Sequence, residues 1–197
     1  MTADMPRPVV LEGETVRLEP LGPEHVADLF EAHGQDDEIW LWMQMPTPKS
    51  AGDLGEVVEG ILADPSITPL AVMLKETGRA VGWTAYMDAP GFDTSVEIGW
   101  TWYGRRYWRS AVNTECKLLL LTHAFEKLGF RRVQLKTDVR NERSQAAIRR
   151  LGAEYEGTLR RHWPRPDGTF RDSVYFGILD DEWPPIKERL VQRLARG

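Results

Sequence analysis

The sequence predicts an α+β or α/β layered domain: a mixed sheet of about seven strands with helices on its faces. Three observations predict it. Short alternating segments recur at 15–19, 70–74, 80–87, 94–102, 132–138, 154–159 and 172–179, as strands require. Segments with apolar residues three and four apart fall between them, as amphipathic helices require. The resulting order is strand, two helices, three strands, helix, strand, helix, two strands, helix, which interleaves both element types within one layered domain.

Each element has its own signal. Residues 1–14 read as a tail, because Pro6 and Pro8 discourage regular structure. Val16 and Leu18 share one face of the first strand. Pro23 suits a first helical turn and Gly34 a helix end, with Val26, Leu29 and Phe30 as the stripe between them. Residues 35–49 read as irregular. Ser50 then caps a helix with Asp53 in its first turn, and Leu54, Val57, Val58, Ile61 and Leu62 form its buried face before Pro65. Glu76-Thr77-Gly78-Arg79 is hairpin chemistry between two strands. In the strand at 94–102, Val96, Ile98, Trp100 and Trp102 alternate with Glu97, Gly99 and Thr101. A deeply packed helix is expected over 113–128, capped by Asn113 or Thr114, with Glu115 near its positive end and Gly129 as its stop. Asn141 caps a short helix ending at Gly152. Pro166-Asp167-Gly168 is turn chemistry between the last two strands. Ile186, Leu190, Val191 and Leu194 give the last helix a stripe that can pack on its own domain or on a second copy. The division expected is a tail at 1–14, a domain at 15–183 and a C-terminal helix at 184–197.

Composition narrows the class. The chain has 197 residues, 42% hydrophobic and 28% charged, enough for one domain with a real core. A net charge of −5 argues against nucleic acid as a partner. The single cysteine, Cys116, excludes an internal disulfide and leaves too few thiols for a cysteine-rich zinc site, so no metal is expected. No apolar run is long enough for a membrane span, and residues 1–8 lack a signal core, so a cytoplasmic protein is expected. Large aromatics either fill a core or line a pocket, and the eight tryptophans are candidates for both.

The run Trp108-Arg109-Ser110-Ala111-Val112-Asn113-Thr114-Glu115-Cys116-Lys117 is a short loop entering a helix. A helix N-terminus presents free N–H groups and partial positive charge, which suits a pyrophosphate. This run, the later Asn141-Glu142-Arg143-Ser144 and the element order resemble the GNAT superfamily of acetyl-CoA-dependent N-acetyltransferases. The closer resemblance is to its ribosomal-protein N-terminal acetyltransferase branch. It is carried also by Val16-Arg17-Leu18-Glu19-Pro20-Leu21, Glu97-Ile98-Gly99-Trp100, Leu151-Gly152-Ala153, Gly157-Thr158-Leu159-Arg160 and Asp167-Gly168-Thr169-Phe170-Arg171-Asp172.

The resemblance implies an α+β fold with a central mixed, mostly antiparallel sheet of about seven strands, splayed between its fourth and fifth strands and flanked by helices. It implies acetyl-CoA as co-substrate and direct transfer of acetyl to a primary amine, on a protein N-terminus or a small molecule. Trp108, Arg109, Ser110, Ala111, Val112, Asn113 and Thr114 correspond to the pyrophosphate loop. Trp108, Ala111 and Asn113 depart from the glycine-rich family pattern, and Arg109 stands where the branch often has Gly. Trp100, Thr101 and Trp102 correspond to the strand that holds the pantetheine arm, and Asn141 and Ser144 also border the cofactor. Glu97 is the candidate base, directly or through a water; His162 and Asp172 are further candidates. Ser144 is a candidate partner of the sulfur. Many relatives place a Tyr seven residues after the Asn, but Ile148 stands there, so that acid is not carried over. Trp40, Trp42 and Met43 border the expected acceptor pocket. Cys116 reads as a buried small residue and not a nucleophile. Arg160, Arg161 and Arg165 read as a solvated basic face or a contact for an acidic substrate. A chain that keeps the fold and CoA binding but not the chemistry is the alternative reading, and a homodimer is compatible with either.

Overall fold

The computed structural model describes residues 3–43, 45–89, 94–165 and 168–196. Its sheet has eight strands: β1 (Leu11–Glu12), β2 (Val16–Pro20), β3 (Ile67–Leu74), β4 (Arg79–Met87), β5 (Ser95–Tyr103), β6 (Arg132–Asp138), β7 (Glu154–Pro164) and β8 (Phe170–Leu179). They lie in the order β1-β2-β3-β4-β5-β6-β8-β7. Every neighbouring pair is antiparallel except β5 and β6. The extra strand comes from the expected tail: Leu11 and Glu12 pair with Leu18 and Arg17. The turn expected at Pro166 and Asp167 lies outside the described residues.

Helices α1 (Val26–His33), α2 (Asp37–Trp40), α3 (Ala51–Ala63), α4 (Ala111–Thr122), α5 (Glu142–Leu151) and α6 (Trp183–Ala195) pack around this sheet. Ser50 and Asp53 form a reciprocal capping box at α3. Gly34 and Gly152 close α1 and α5 in the left-handed conformation. The apolar side chains sort into two clusters, one on each face of the sheet. On one face α4, α5 and α6 bury Cys116, Leu120, Leu121, Ile148, Trp183, Ile186 and Leu190 against Val96, Ile98, Val133, Leu135 and Phe176. On the other, α1 and α3 bury Leu29, Leu54, Val58 and Ile61 against Ala71, Trp83 and Trp102, with Trp40 beside them. Of the α6 stripe, Ile186 and Leu190 pack on its own domain, whereas Val191 is exposed.

Three expectations are corrected here. α4 begins at Ala111, two residues earlier than predicted, because Ser110 and not Asn113 or Thr114 is its cap. Glu115 does not face the helix end. Its buried carboxylate accepts the backbone N–H groups of Glu14, Thr15 and Val16 at 2.7, 2.8 and 2.7 Å, pinning the start of β2 to α4. The alternation of β5 also breaks. Trp83 pairs with Trp102 but Ala85 pairs with Gly99, so β5 carries an extra residue there. Trp100 takes φ +50° at that bulge. Val96 and Ile98 therefore face α4, whereas Trp100 and Trp102 join the tryptophan cluster on the opposite face.

Candidate active site

The bulge opens the sheet. β5 and β6 pair only at Ser95–Arg132, Val96–Val133 and Glu97–Gln134. Beyond them, Ile98, Gly99, Trp102 and Tyr103 pair with β4 and residues 135–138 with β8, but the two stretches do not pair with each other. Parallel strands that diverge leave facing N–H and C=O groups without a ladder partner. The wedge between them can take an extended ligand with amide groups, as a sheet edge takes an added strand. It opens towards the N-termini of α4 and α5, which follow β5 and β6 in the chain.

The closing end of the wedge is polar. Glu97 is 2% exposed; its carboxylate accepts from Gln134 Nε2 at 2.9 Å and pairs with Lys136 Nζ at 2.9 Å. A carboxylate offers about four lone-pair positions, so these two partners leave room for another donor. Tyr175 lies opposite Lys136 in the sheet, with its hydroxyl 3.3 Å from His162 Nε2. His162 Nδ1 lies 2.9 Å from Ser173 Oγ, and burial lowers its pKa below the usual histidine value. Asp172 is occupied elsewhere, accepting the Arg161 N–H at 2.7 Å. Of the basic cluster, Arg165 pairs with buried Asp138.

The open end is built by the loop before α4. Trp108 Nε1 donates to the Tyr103 carbonyl at 2.9 Å. The Arg143 guanidinium of α5 lies 3.4 Å from the Trp108 ring centroid, and Arg105 lies 5.0 Å from it. Arg105 pairs with Asp36 and Glu38, and Arg143 also pairs with Glu38. Trp108 therefore couples the loop to α5 and, through these ion pairs, to α2. Arg109 is exposed and takes φ +61°, the left-handed conformation a glycine adopts without strain. The chain follows the glycine path although the residue is arginine. Ser110 Oγ accepts from Val112 N at 3.3 Å and donates to the Tyr107 carbonyl at 2.6 Å. Val112 and Thr114 are buried, whereas Ala111 and Asn113 are half-buried. Asn141, itself buried, accepts the Ser144 N–H at 3.0 Å and so caps α5. Ile148 lies in the core, and Cys116 is fully buried with its thiol pushed up to about 12.

A cavity of about 310 Å³ lies between α2 with its following loop and the end of β6; Asp37, Trp40, Leu41, Trp42, Met45, Pro46, Thr47, Asp138, Arg140 and Arg165 line it. Met43 is not among these residues and packs on the second core instead. Sequence reasoning had no signal for Arg143, Lys136 or Lys117, whose partners come from other elements.

A mixed sheet that splays beside two capped helix N-termini is a framework that suits a group-transfer enzyme. Residues 15–154 match the family model described as the acetyltransferase (GNAT) domain, and the chain belongs to that family; it is an N-acetyltransferase. It is similar to YdaF of Bacillus subtilis (strain 168), which carries the provisional name ribosomal N-acetyltransferase. The two are 29% identical over 179 residues, 88% of this chain and 95% of YdaF. A GCN5-related N-acetyltransferase from Brucella melitensis superposes with a TM-score of 0.93 at 29% identity, over 98% of this chain and 89% of that one. RimJ of Mycobacterium smegmatis, solved in complex with CoA-disulfide, shares the fold at a TM-score of 0.80 and 21% identity, over 94% and 95% of the two chains.

Proposed function

We propose that this protein transfers acetyl directly from acetyl-CoA to a primary amine bound beside the β5–β6 wedge, in the cytoplasm. The wedge carries this reading: unladdered backbone groups along β5 and β6 suit the amide-bearing pantetheine arm. The first N–H groups of α4, with Ser110, Ala111 and Asn113 leading in and Arg109 beside them, suit the pyrophosphate. Trp108 shapes that loop from behind, and Val112 and Thr114 contribute backbone only. Asn141 and Ser144 border the sulfur from α5.

In the reaction the amine nitrogen attacks the thioester carbonyl, and the C–N bond forms as the oxygen takes negative charge. An N–H from the Trp100–Trp102 stretch at the bulge stabilises that oxygen, the remaining backbone groups there serving the pantetheine arm. The C–S bond then breaks; Ser144 donates a hydrogen bond to the departing thiolate, which takes its proton from solvent. Glu97 takes the proton from the amine, directly or through a water. No acyl-enzyme is needed, and the thiol of Cys116 is too basic and too buried to form one. Trp40 and Trp42, with Met45, shape the acceptor pocket, and Met43 supports it from the core.

The test is thiol release from acetyl-CoA with a panel of N-terminal peptides, amino acids, polyamines and aminoglycosides. Amine-dependent, saturable release with an N-acetylated product supports the reading. Saturable acetyl-CoA binding with no turnover on any amine favours a CoA-binding protein without chemistry.

A further inference from the structure

We propose that Lys117 is a positioning residue for acetyl transfer. Its ammonium fixes the bulge of β5 and so aims that strand's N–H groups into the wedge. This rests on the reading that the chemistry occurs there.

Lys117 lies on the sheet-facing side of α4 and is 5% exposed. Lysines near a surface usually run their alkyl stems along apolar neighbours and keep the ammonium in water. This one turns inward. Nζ donates to Thr101 Oγ1 at 2.9 Å and reaches Thr84 Oγ1 at 3.5 Å. Among the described residues no carboxylate pairs with it, and desolvation lowers its pKa to about 8. A methionine would fill the same space without the cost of burying a charge. For folding alone, then, lysine is the worse choice.

Its partners say what the charge is for. Thr101 directly follows Trp100, the residue at φ +50°. A bulky side chain at positive φ is strained and persists only where surrounding structure enforces it. The Thr101 hydroxyl donates in turn to the Gly99 carbonyl at 3.2 Å, across the bulge. Thr84 sits on β4 between Trp83 and Ala85, the two residues whose partners reveal the bulge, and its hydroxyl is 2.8 Å from that of Thr101. Lys117, Thr84, Thr101 and Gly99 thus form one hydrogen-bonded clasp across both strands at the irregularity. The clasp holds the backbone where oxyanion charge develops, and it places a positive charge behind that backbone in a region of low dielectric, where such a charge acts strongly.

The experiment compares wild type, Lys117→Met, Thr101→Val and the double variant, all full length, by steady-state kinetics, acetyl-CoA calorimetry and thermal melting. Lys117→Met is expected to lower kcat roughly 10- to 100-fold while acetyl-CoA Kd stays within ~3-fold and Tm is unchanged or higher. Thr101→Val should lower kcat as well, and the double variant should be no worse than Lys117→Met, because both remove one clasp. Unchanged kcat in Lys117→Met beside an active wild type overturns this inference alone. So does a lowered Tm with parallel loss of binding, which marks a merely structural lysine. A wild type that turns over no amine overturns the parent reading and this one with it.

Discussion

The two faces of β5 handle buried charge in opposite ways. On one face Glu97 meets Lys136 at 2.9 Å, and Gln134 adds a hydrogen bond. On the other face Lys117 meets only hydroxyl groups among the described residues. The first arrangement is a paired charge that a fold tolerates. The second burdens the fold, and it sits on the one strand irregularity that opens the wedge. Glu115, a third buried charge, serves the fold instead, gathering three N–H groups at the start of β2. Burial alone therefore does not mark a functional charge; burial without a counter-charge at an irregular backbone does.

The largest expected effect breaks the paired face. Glu97→Gln should lower kcat by about 100-fold or more, with acetyl-CoA Kd within ~3-fold, as loss of a general base does. Steady-state kinetics beside calorimetry measures both, and an unchanged kcat would move the base to His162 or to water.

A second prediction concerns the unpaired face. The pKa of Lys117 is lowered from 10.5 to about 8 in the folded chain. Between those values the unfolded chain binds the extra proton, so stability should rise with pH through that window, by up to ~3 kcal/mol. Denaturant titrations at pH 7.5 to 10.5 should show this rise, and Lys117→Met should abolish it. The same slope in both proteins would mean that other groups produce it.

Smaller effects belong to the rim. Arg109→Gly keeps a backbone path that glycine adopts freely, so Tm should change little. Loss of the cation should weaken acetyl-CoA binding about 3- to 10-fold, more at low salt. Calorimetry at two salt concentrations reads this, and unchanged affinity would place the pyrophosphate away from Arg109. Smallest is Trp42→Ala, expected to raise acceptor KM about 5-fold with acetyl-CoA Kd unaltered. Equal changes in the two constants would take Trp42 out of the acceptor site.

Much of the fold was legible because strand alternation and helix stripes are local. What escaped was set by distant partners or by irregular backbone. β1 is two residues long and exists only through β2, so its own sequence carries no period. The true start of α4 depends on Arg109 at positive φ, an arginine where sequence reasoning looks for glycine. The alternation of β5 promised one face for Val96, Ile98, Trp100 and Trp102, and one extra residue divided them between two. Glu97 and the α4 loop could be singled out from neighbouring residues. Lys117 could not, since its partners lie 16 and 33 positions away.

Whether the β5–β6 wedge receives acetyl-CoA is decided by amide hydrogen exchange with and without saturating acetyl-CoA. Exchange should slow at wedge-facing amides within residues 98–103 of β5 and at the first turn of α4, with β1–β3 unchanged. Saturable binding that leaves those amides exchanging at their original rates would contradict binding in the wedge.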